Sequence, residues 1–167
     1  TERQLMGYAD AAMYQAKADG RNRSHFYTSA MTAYAQERIQ LEGQLRDAIS
    51  ANELSVHFQP KIEVQSGRLL GAEALLRWNS AELGNIPPSR FIPLAEETGF
   101  IMDLGFWVLC ETCRQVAAWD EAGLHVPVVS INMSVKQLER GNLPELLRTV
   151  MRKTGITPDR LELEITE

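Results

Sequence analysis

Alternating apolar and polar side chains make residues 69–78 the most regular stretch of the chain. One face of an extended strand here would be apolar and would carry Ala72, Ala74, Leu76 and Trp78. Glu73 falls on the opposite face, and a carboxylate on so apolar a strand is costly to bury unless it is paired or binds a cation. The pattern predicts a strand. It leaves open whether Glu73 binds a cation, pairs with Arg77 or lies on an exposed sheet face.

Hydrophobic periodicity and turn residues predict the remaining elements. Helices are expected over residues 1–19, 29–51, 87–97, 103–122, from 134 onward and over 142–154, and strands over 24–27, 55–64, 126–133 and 161–165. The connection at residues 65–68 is too short for a parallel crossover, so the strands that flank it should form an antiparallel hairpin. Helices separate the later strands, which indicates right-handed crossovers and a parallel sheet. The predicted fold class is α/β.

Composition narrows the class of protein. The chain has 167 residues, of which 44% are hydrophobic and 23% charged, and this suits a soluble globular protein. A net charge of −5 argues against a general binder of nucleic acid polymers or anionic membranes, and no apolar run is long enough for a membrane span. Two cysteines exclude a disulfide scaffold and indicate the reducing cytoplasm. We expect Cys110 and Cys113, on the apolar side of one helix, to be structural rather than zinc ligands.

Polar side chains cluster toward the ends of three successive strands. They are Glu73 with Arg77, then Asn132, then Glu164 with Glu167. Function gathers at the carboxyl ends of parallel strands, and carboxylate and amide oxygens are ligands for Mg²⁺ or Mn²⁺ rather than zinc. A planar guanidinium nearby suits a phosphate. Taken singly, Asn132 is equally explained as a capping or core amide, and Glu164 as part of a solvated strand face.

Five motifs resemble those of EAL domains, the cyclic di-GMP phosphodiesterases. In chain order they read FQP at 58–60, EALLRW at 73–78, FIPLAEE at 91–97, INMS at 131–134 and EITE at 164–167. The resemblance implies a TIM-like (β/α)8 barrel with an antiparallel first strand, and it covers the first half of such a barrel. It agrees with the predicted hairpin.

The resemblance also implies roles for single residues. Glu73, Asn132 and Glu164 match the metal ligands of a two-metal site for Mg²⁺ or Mn²⁺. Gln59 and Arg77 match positions that contact the dinucleotide. Glu167 matches the acid that anchors an active-site loop, and the general base is expected beyond it. The implied reaction is hydrolysis of cyclic di-GMP to linear pGpG.

Residues 8–23 closely resemble the C-terminal end of GGDEF (diguanylate cyclase) domains. By that resemblance Lys17 and Arg21 match contacts to nucleotide phosphates; without it they are ordinary solvated charges near a helix end. The expected organisation is a GGDEF remnant at 1–28, a helical linker at 29–40 and the N-terminal half of an EAL domain at 41–167. We therefore expect an excerpt of a longer tandem signalling protein, inactive when expressed alone.

Two other functions stay open. One is a catalytically inactive cyclic di-GMP receptor or regulatory module; receptors of that kind usually lose ligand residues, whereas Glu73, Asn132 and Glu164 are all present here. The other is a signalling or dimerisation module, with a homodimer formed through the linker helix or the EAL domain. Met31, Ala33 and Tyr34 give only a weak apolar seam for it.

Overall fold

The computed structural model describes residues 1–18, 20, 22–140 and 142–166. The chain divides into two compact units, residues 1–44 and 45–167, and each is described by itself. Its elements in chain order are α1 Glu2–Ala18, α2 Ser29–Asp47, β1 Leu54–Ile62, β2 Leu69–Ser80, β3 Gly84–Ile86, α3 Pro88–Thr98, α4 Ile101–Glu121, β4 Val129–Ser134, α5 Val135–Arg140, α6 Leu143–Thr154 and β5 Leu161–Thr166. A single 3-10 turn, Pro158–Arg160, precedes β5. None of the described helices is both long and apolar enough to cross a membrane.

The first unit consists of α1, most of α2 and the segment that joins them. The strand expected over 24–27 is wrong: this segment is irregular, and the Phe26 side chain is 96% exposed. A strand needs a neighbour to satisfy its backbone groups, and the pattern of four residues could not supply one. Tyr27 instead stacks on Tyr8 with ring centroids 4.0 Å apart, and its hydroxyl lies 3.0 Å from that of Thr32.

The second unit is built on a mixed sheet with the order β1-β2-β4-β5, and β3 pairs with β2. The hairpin prediction is confirmed, since β1 and β2 are antiparallel with Leu54 opposite Trp78. The parallel prediction is also confirmed for β2 with β4 and for β4 with β5. Pro60 lies on β1, at the edge of this order, where a residue without an N–H is tolerated.

One face of the sheet is apolar and packs against α4 and α6. Ala74, Val129, Ile131 and Met133 are buried in a cluster with side chains of both helices. The apolar face predicted for β2 is therefore confirmed. With that face committed to the core, alternation along the strands leaves the opposite face free to carry polar side chains.

β2 is longer than predicted because Glu53 holds its distal end. The Glu53 carboxylate accepts hydrogen bonds from the Trp78 indole N–H at 3.0 Å and from the Ala81 backbone N–H at 2.9 Å. These bonds hold the pKa of Glu53 below its usual range, the Ala81 bond contributing most. The glutamate secures the β2–β3 turn, which lies beyond the stretch that sequence periodicity covered.

Candidate metal and phosphate site on the polar face of the sheet

Strand register brings the predicted polar residues onto one face. Gln59 of β1 lies opposite Glu73 of β2, and Glu73 pairs in turn with Ser130 of β4. Asn132 of β4 is in register with Glu164 of β5. Paired residues of neighbouring strands send their side chains to the same side of a sheet, so these five form a continuous polar surface. We call it the polar face.

Glu73 and Asn132 are in direct contact. The Asn132 side-chain Nδ2 donates a hydrogen bond of 2.7 Å to Glu73 Oε1. Because one of its carboxylate oxygens accepts this hydrogen bond, the half-buried Glu73 is tolerated beside an apolar core. Asn132 does not cap a helix here. Its side chain is exposed, and the side-chain amide oxygen Oδ1 accepts no hydrogen bond from any described residue.

The ion pair of Glu73 with Arg77 does not form. The Arg77 guanidinium instead donates to the backbone carbonyl oxygen of Leu76 at 2.9 Å. Glu73 lies within β2 rather than at its end, because β2 continues past its short parallel contact with β4, which covers only three residues. Arg77 lies four residues further along the same strand face, and its side chain is half-buried.

Glu164 has a cationic partner that the sequence did not reveal. Lys61 Nζ of β1 lies 2.5 Å from Glu164 Oε1 and donates a second hydrogen bond of 2.6 Å to Ser130 Oγ. The Ser130 hydroxyl in turn donates to Glu162 Oε2 at 3.2 Å. The hydrogen bond from Lys61 is the main cause that lowers the pKa of Glu164. This carboxylate is therefore ionised at neutral pH.

A second set of contacts ties α3 to the carboxyl end of β4. Ser134 Oγ donates to Glu96 Oε1 at 2.6 Å, and Lys136 Nζ donates to the Glu96 backbone carbonyl at 3.0 Å. The Ser134 backbone N–H donates to Gln137 Oε1 at 2.8 Å, which is the capping arrangement expected where a helix begins at 134. Together these bonds restrain the end of β4 two residues beyond Asn132.

A cavity of about 430 Å³ opens where β2 and β4 approach α3 and α4. Its polar lining includes Arg77, Glu96 and Asn132, and most of the other lining residues are apolar residues of the two strands and the two helices. The cavity thus joins a guanidinium to the amide of the polar face. Concave sites of this size with few polar groups are typical of ligand binding.

The donor set fits a hard divalent cation. Glu73 and Glu164 offer carboxylate oxygens and Asn132 an amide oxygen, which is the chemistry that Mg²⁺ and Mn²⁺ prefer. Within the described residues no three His, Cys, Asp or Glu side chains are grouped to hold a metal ion. Cys110 and Cys113 are free thiols on α4, Cys113 fully buried, as expected for structural cysteines.

Three further predicted functional residues do not enter the description of this face. Lys17 is exposed in the last turn of α1, in the other unit. Arg21 and Glu167 lie outside the described residues. Sequence reasoning missed Lys61 and Ser130, although a local signal existed: each lies two residues from a predicted site residue on the same strand face, Lys61 after Gln59 and Ser130 before Asn132.

Comparison with known proteins gives consistent matches. The family model described as EAL domain matches residues 42–167. The chain is 42% identical to the bifunctional diguanylate cyclase/cyclic di-GMP phosphodiesterase MucR of Pseudomonas aeruginosa over 167 residues, covering all of this chain and 24% of MucR. It is 41% identical to the oxygen sensor protein DosP of Escherichia coli over 163 residues, covering 98% of this chain and 20% of DosP. The chain thus spans a quarter or less of these two relatives.

A solved structure agrees with the sequence matches. The MucR phosphodiesterase in complex with cyclic di-GMP superposes with a TM-score of 0.73 at 39% identity, covering 77% of this chain and 52% of that one. The α/β fold with its mixed sheet therefore has a TIM-barrel-like counterpart among known structures.

Proposed function

The chain belongs to the EAL domain family, and on that premise we propose that it takes part in hydrolysis of cyclic di-GMP to linear pGpG, with Mg²⁺ or Mn²⁺ at a two-metal site. The observation that carries the proposal is the polar face itself. Glu73 and Asn132 are in contact at 2.7 Å, and Glu164 is in register with Asn132 on the next strand. MucR, a relative named as a cyclic di-GMP phosphodiesterase, supports the choice of substrate.

In this proposal Glu73, Asn132 and Glu164 hold the metal through oxygen atoms. Divalent ions so held would activate water and stabilise the leaving oxygen. The hydrogen bond from Asn132 orients the Glu73 carboxylate before any ion arrives. Rotation of the Arg77 guanidinium from the Leu76 carbonyl would present its planar fork to a phosphate in the adjoining cavity.

Gln59 completes the proposed substrate contacts. It is exposed on β1 directly opposite Glu73, so its amide can reach a ligand that lies over the carboxylate. We assign no general base to the described residues, and in this proposal Glu167 anchors an active-site loop. The sheet would form the first strands of the TIM-like barrel.

The proposed organisation is that of a tandem GGDEF–EAL signalling protein. Residues 1–28 would be the end of a GGDEF domain with Lys17 and Arg21 as former phosphate contacts, 29–40 a helical linker, and 41–167 the first half of the EAL domain. The match to MucR supports this, because it runs over all 167 residues and MucR is named as a diguanylate cyclase as well.

The test of the metal site is a single substitution in the full-length protein. Glu73→Ala should abolish release of pGpG, measured by anion-exchange chromatography at saturating Mg²⁺, because a carboxylate ligand is lost. Glu121→Ala, which removes an exposed carboxylate at the end of α4, should leave turnover unchanged. Full turnover by Glu73→Ala would contradict the metal assignment.

A second substitution separates substrate binding from metal binding. Arg77→Ala should weaken cyclic di-GMP binding by about 1.5–3 kcal/mol, roughly ten- to a hundredfold, and should leave metal affinity without substrate unchanged. Arg152→Ala, which removes an exposed guanidinium of α6, is the matched control. Calorimetric titrations of metal and of dinucleotide decide the matter, and loss of metal binding with dinucleotide affinity preserved would refute the phosphate role.

The inactive receptor remains the second candidate, and the same measurements separate the two. A receptor binds cyclic di-GMP and releases no pGpG, whereas an enzyme binds cyclic di-GMP and releases pGpG. The presence of Glu73, Asn132 and Glu164 on one face favours the enzyme.

A further inference from the structure

The ammonium of Lys61 lies among the carboxylates of the polar face. It contacts Glu164 Oε1 at 2.5 Å and Ser130 Oγ at 2.6 Å, and Ser130 links it to Glu162. A cation with two short contacts to oxygen atoms is held in a defined position. Neither the family motifs nor the proposed mechanism gives Lys61 a role.

The strand order makes this contact a long-range one. β1 and β5 are separated by β2 and β4, so the side chains of Lys61 and Glu164 meet over the two intervening strands. The residue opposite Lys61 on β2 is Gly71, which carries no side chain on that face. Ser130 then supports the ammonium where it passes β4. The ammonium of a β1 residue is thus held beside a carboxylate of β5, with a hydroxyl of β4 as its second contact.

The charge balance of the polar face explains why a cation belongs there. Glu162 and Glu164 lie two residues apart on β5 and Glu73 lies on β2, so three carboxylates share this region. The hydrogen bond to Glu164 raises the pKa of Lys61, and the negative charges of all three glutamates add to the effect. Without this ammonium, the like charges of Glu73 on β2 and of Glu162 and Glu164 on β5 would repel one another.

We propose that Lys61 is the resident counter-cation of the polar face, which holds the Glu164 carboxylate until a divalent metal ion displaces it. This inference rests on the proposed function, in which Glu164 is a metal ligand. An ammonium 2.5 Å from a carboxylate oxygen competes with a metal for that oxygen, and two cations so close repel each other. Lys61 therefore stabilises the metal-free site and lowers the affinity of the site for metal.

The experiment uses Mn²⁺ and the full-length protein, with the spectroscopic signal of free Mn²⁺ as the readout. Only the Mn²⁺ sites that are lost in Glu73→Ala are counted. This criterion separates the proposed site from any other Mn²⁺ site in the protein. Lys61→Met should raise Mn²⁺ affinity at these sites by about tenfold, a modest factor because Lys61 and Glu164 are 38% and 35% exposed and water screens them. Lys61→Arg keeps the charge and should keep the affinity near that of the wild type. Lys153→Met, which removes a lysine from the last turn of α6, is the matched control and should change nothing.

A thermal melt gives a second readout that is independent of activity. Without metal, Lys61→Met should melt below the wild type, because three carboxylates lose their counter-cation, and Mn²⁺ should raise its melting temperature by more than that of the wild type. If Lys61→Met folds poorly, Lys61→Gln takes its place in both measurements. It keeps polar contacts without the charge, and the same changes in Mn²⁺ affinity and melting temperature are expected.

Three results would overturn the inference. Weaker Mn²⁺ binding by Lys61→Met would mean that Lys61 positions Glu164 for the metal rather than competing with it. Unchanged affinity and melting would mean that the contact is an ordinary surface ion pair. Absence of any Glu73-dependent Mn²⁺ site in the wild-type protein would refute the proposed function together with this inference, and so differs from the first two results, which leave that function standing.

Discussion

Gly71 offers a sharp test of how the sheet holds the polar face. A Cβ at this position would lie 2.5 Å from the Val128 carbonyl oxygen and 2.8 Å from Val128 Cγ1. The nearer atom is backbone, so a change of rotamer cannot relieve the clash. That carbonyl also accepts the Ala72 N–H at 2.9 Å, beside the first parallel pair between β2 and β4. Gly71→Ala must therefore push β2 and β4 apart where their contact begins.

The magnitude follows from the two interactions that the substitution disturbs. Overpacking of a well-packed position costs about 1–3 kcal/mol, and a lost backbone hydrogen bond adds about 1 kcal/mol. We expect the free energy of unfolding to fall by about 2–4 kcal/mol. Because Glu73 is only two residues further along β2, its contact with Asn132 should weaken as well, and Mn²⁺ affinity should fall with stability.

Urea unfolding followed by circular dichroism measures the effect, and the chain supplies a control with the opposite sign. Gly43 lies inside helix α2, and a Cβ there would meet nothing within 4 Å. Gly43→Ala should raise the free energy of unfolding by about 0.5–1 kcal/mol, because glycine is a poor helix former. If Gly71→Ala were as stable as the wild type and bound Mn²⁺ equally well, the close approach of β2 to Val128 would be refuted.

Three further predictions concern α4. Thr112→Val should raise the free energy of unfolding by about 1 kcal/mol, since Thr112 Oγ1 is buried and has no hydrogen-bond partner in the described part of the chain; Thr154→Val, which breaks a 3.0 Å bond to Val150, should show no gain. Burial, and then the neighbouring Cys110, raises the pKa of Cys113 to about 11. Only about one thiol in a thousand is then ionised at pH 8, so iodoacetamide should label Cys113 slowly in the native protein. Labelling at the rate of a free cysteine would disprove this. Gly105→Ala would place a Cβ 1.6 Å from Gln137 Nε2 and should expel that buried side chain, costing about 1–3 kcal/mol. Adding Gln137→Ala should recover part of that loss in a double-mutant cycle.

The parts of the fold that depend on local rules could be predicted. The hairpin followed from a connection too short for a crossover, and the apolar face of β2 followed from alternation, because both properties belong to one stretch of chain. The failures depend on distant partners. The strand expected at 24–27 had no neighbour to pair with, and β3, three residues long, exists only because β2 extends far enough to receive it.

The candidate site divides in the same way. Glu73, Asn132 and Glu164 could be selected because each stands out against an apolar strand pattern. Their partners could not, since strand order and register decide that Asn132 contacts Glu73 and that Lys61 reaches Glu164. In sequence, Lys61 and Glu164 are 103 residues apart, and nothing local connects them.

The position of β2 explains why the polar face is sensitive to register. Over Ala72–Ala74 this strand is bonded on both sides, antiparallel to β1 and parallel to β4. Glu73 is the middle residue of that stretch, so Gln59 on one side and Ser130 on the other define its surroundings. A shift of one residue in either pairing would turn Glu73 toward the core or remove it from Asn132, because side chains alternate with a period of two. Since strands rather than loops carry these groups, even a substitution that touches none of them, such as Gly71→Ala, should alter metal binding through the backbone.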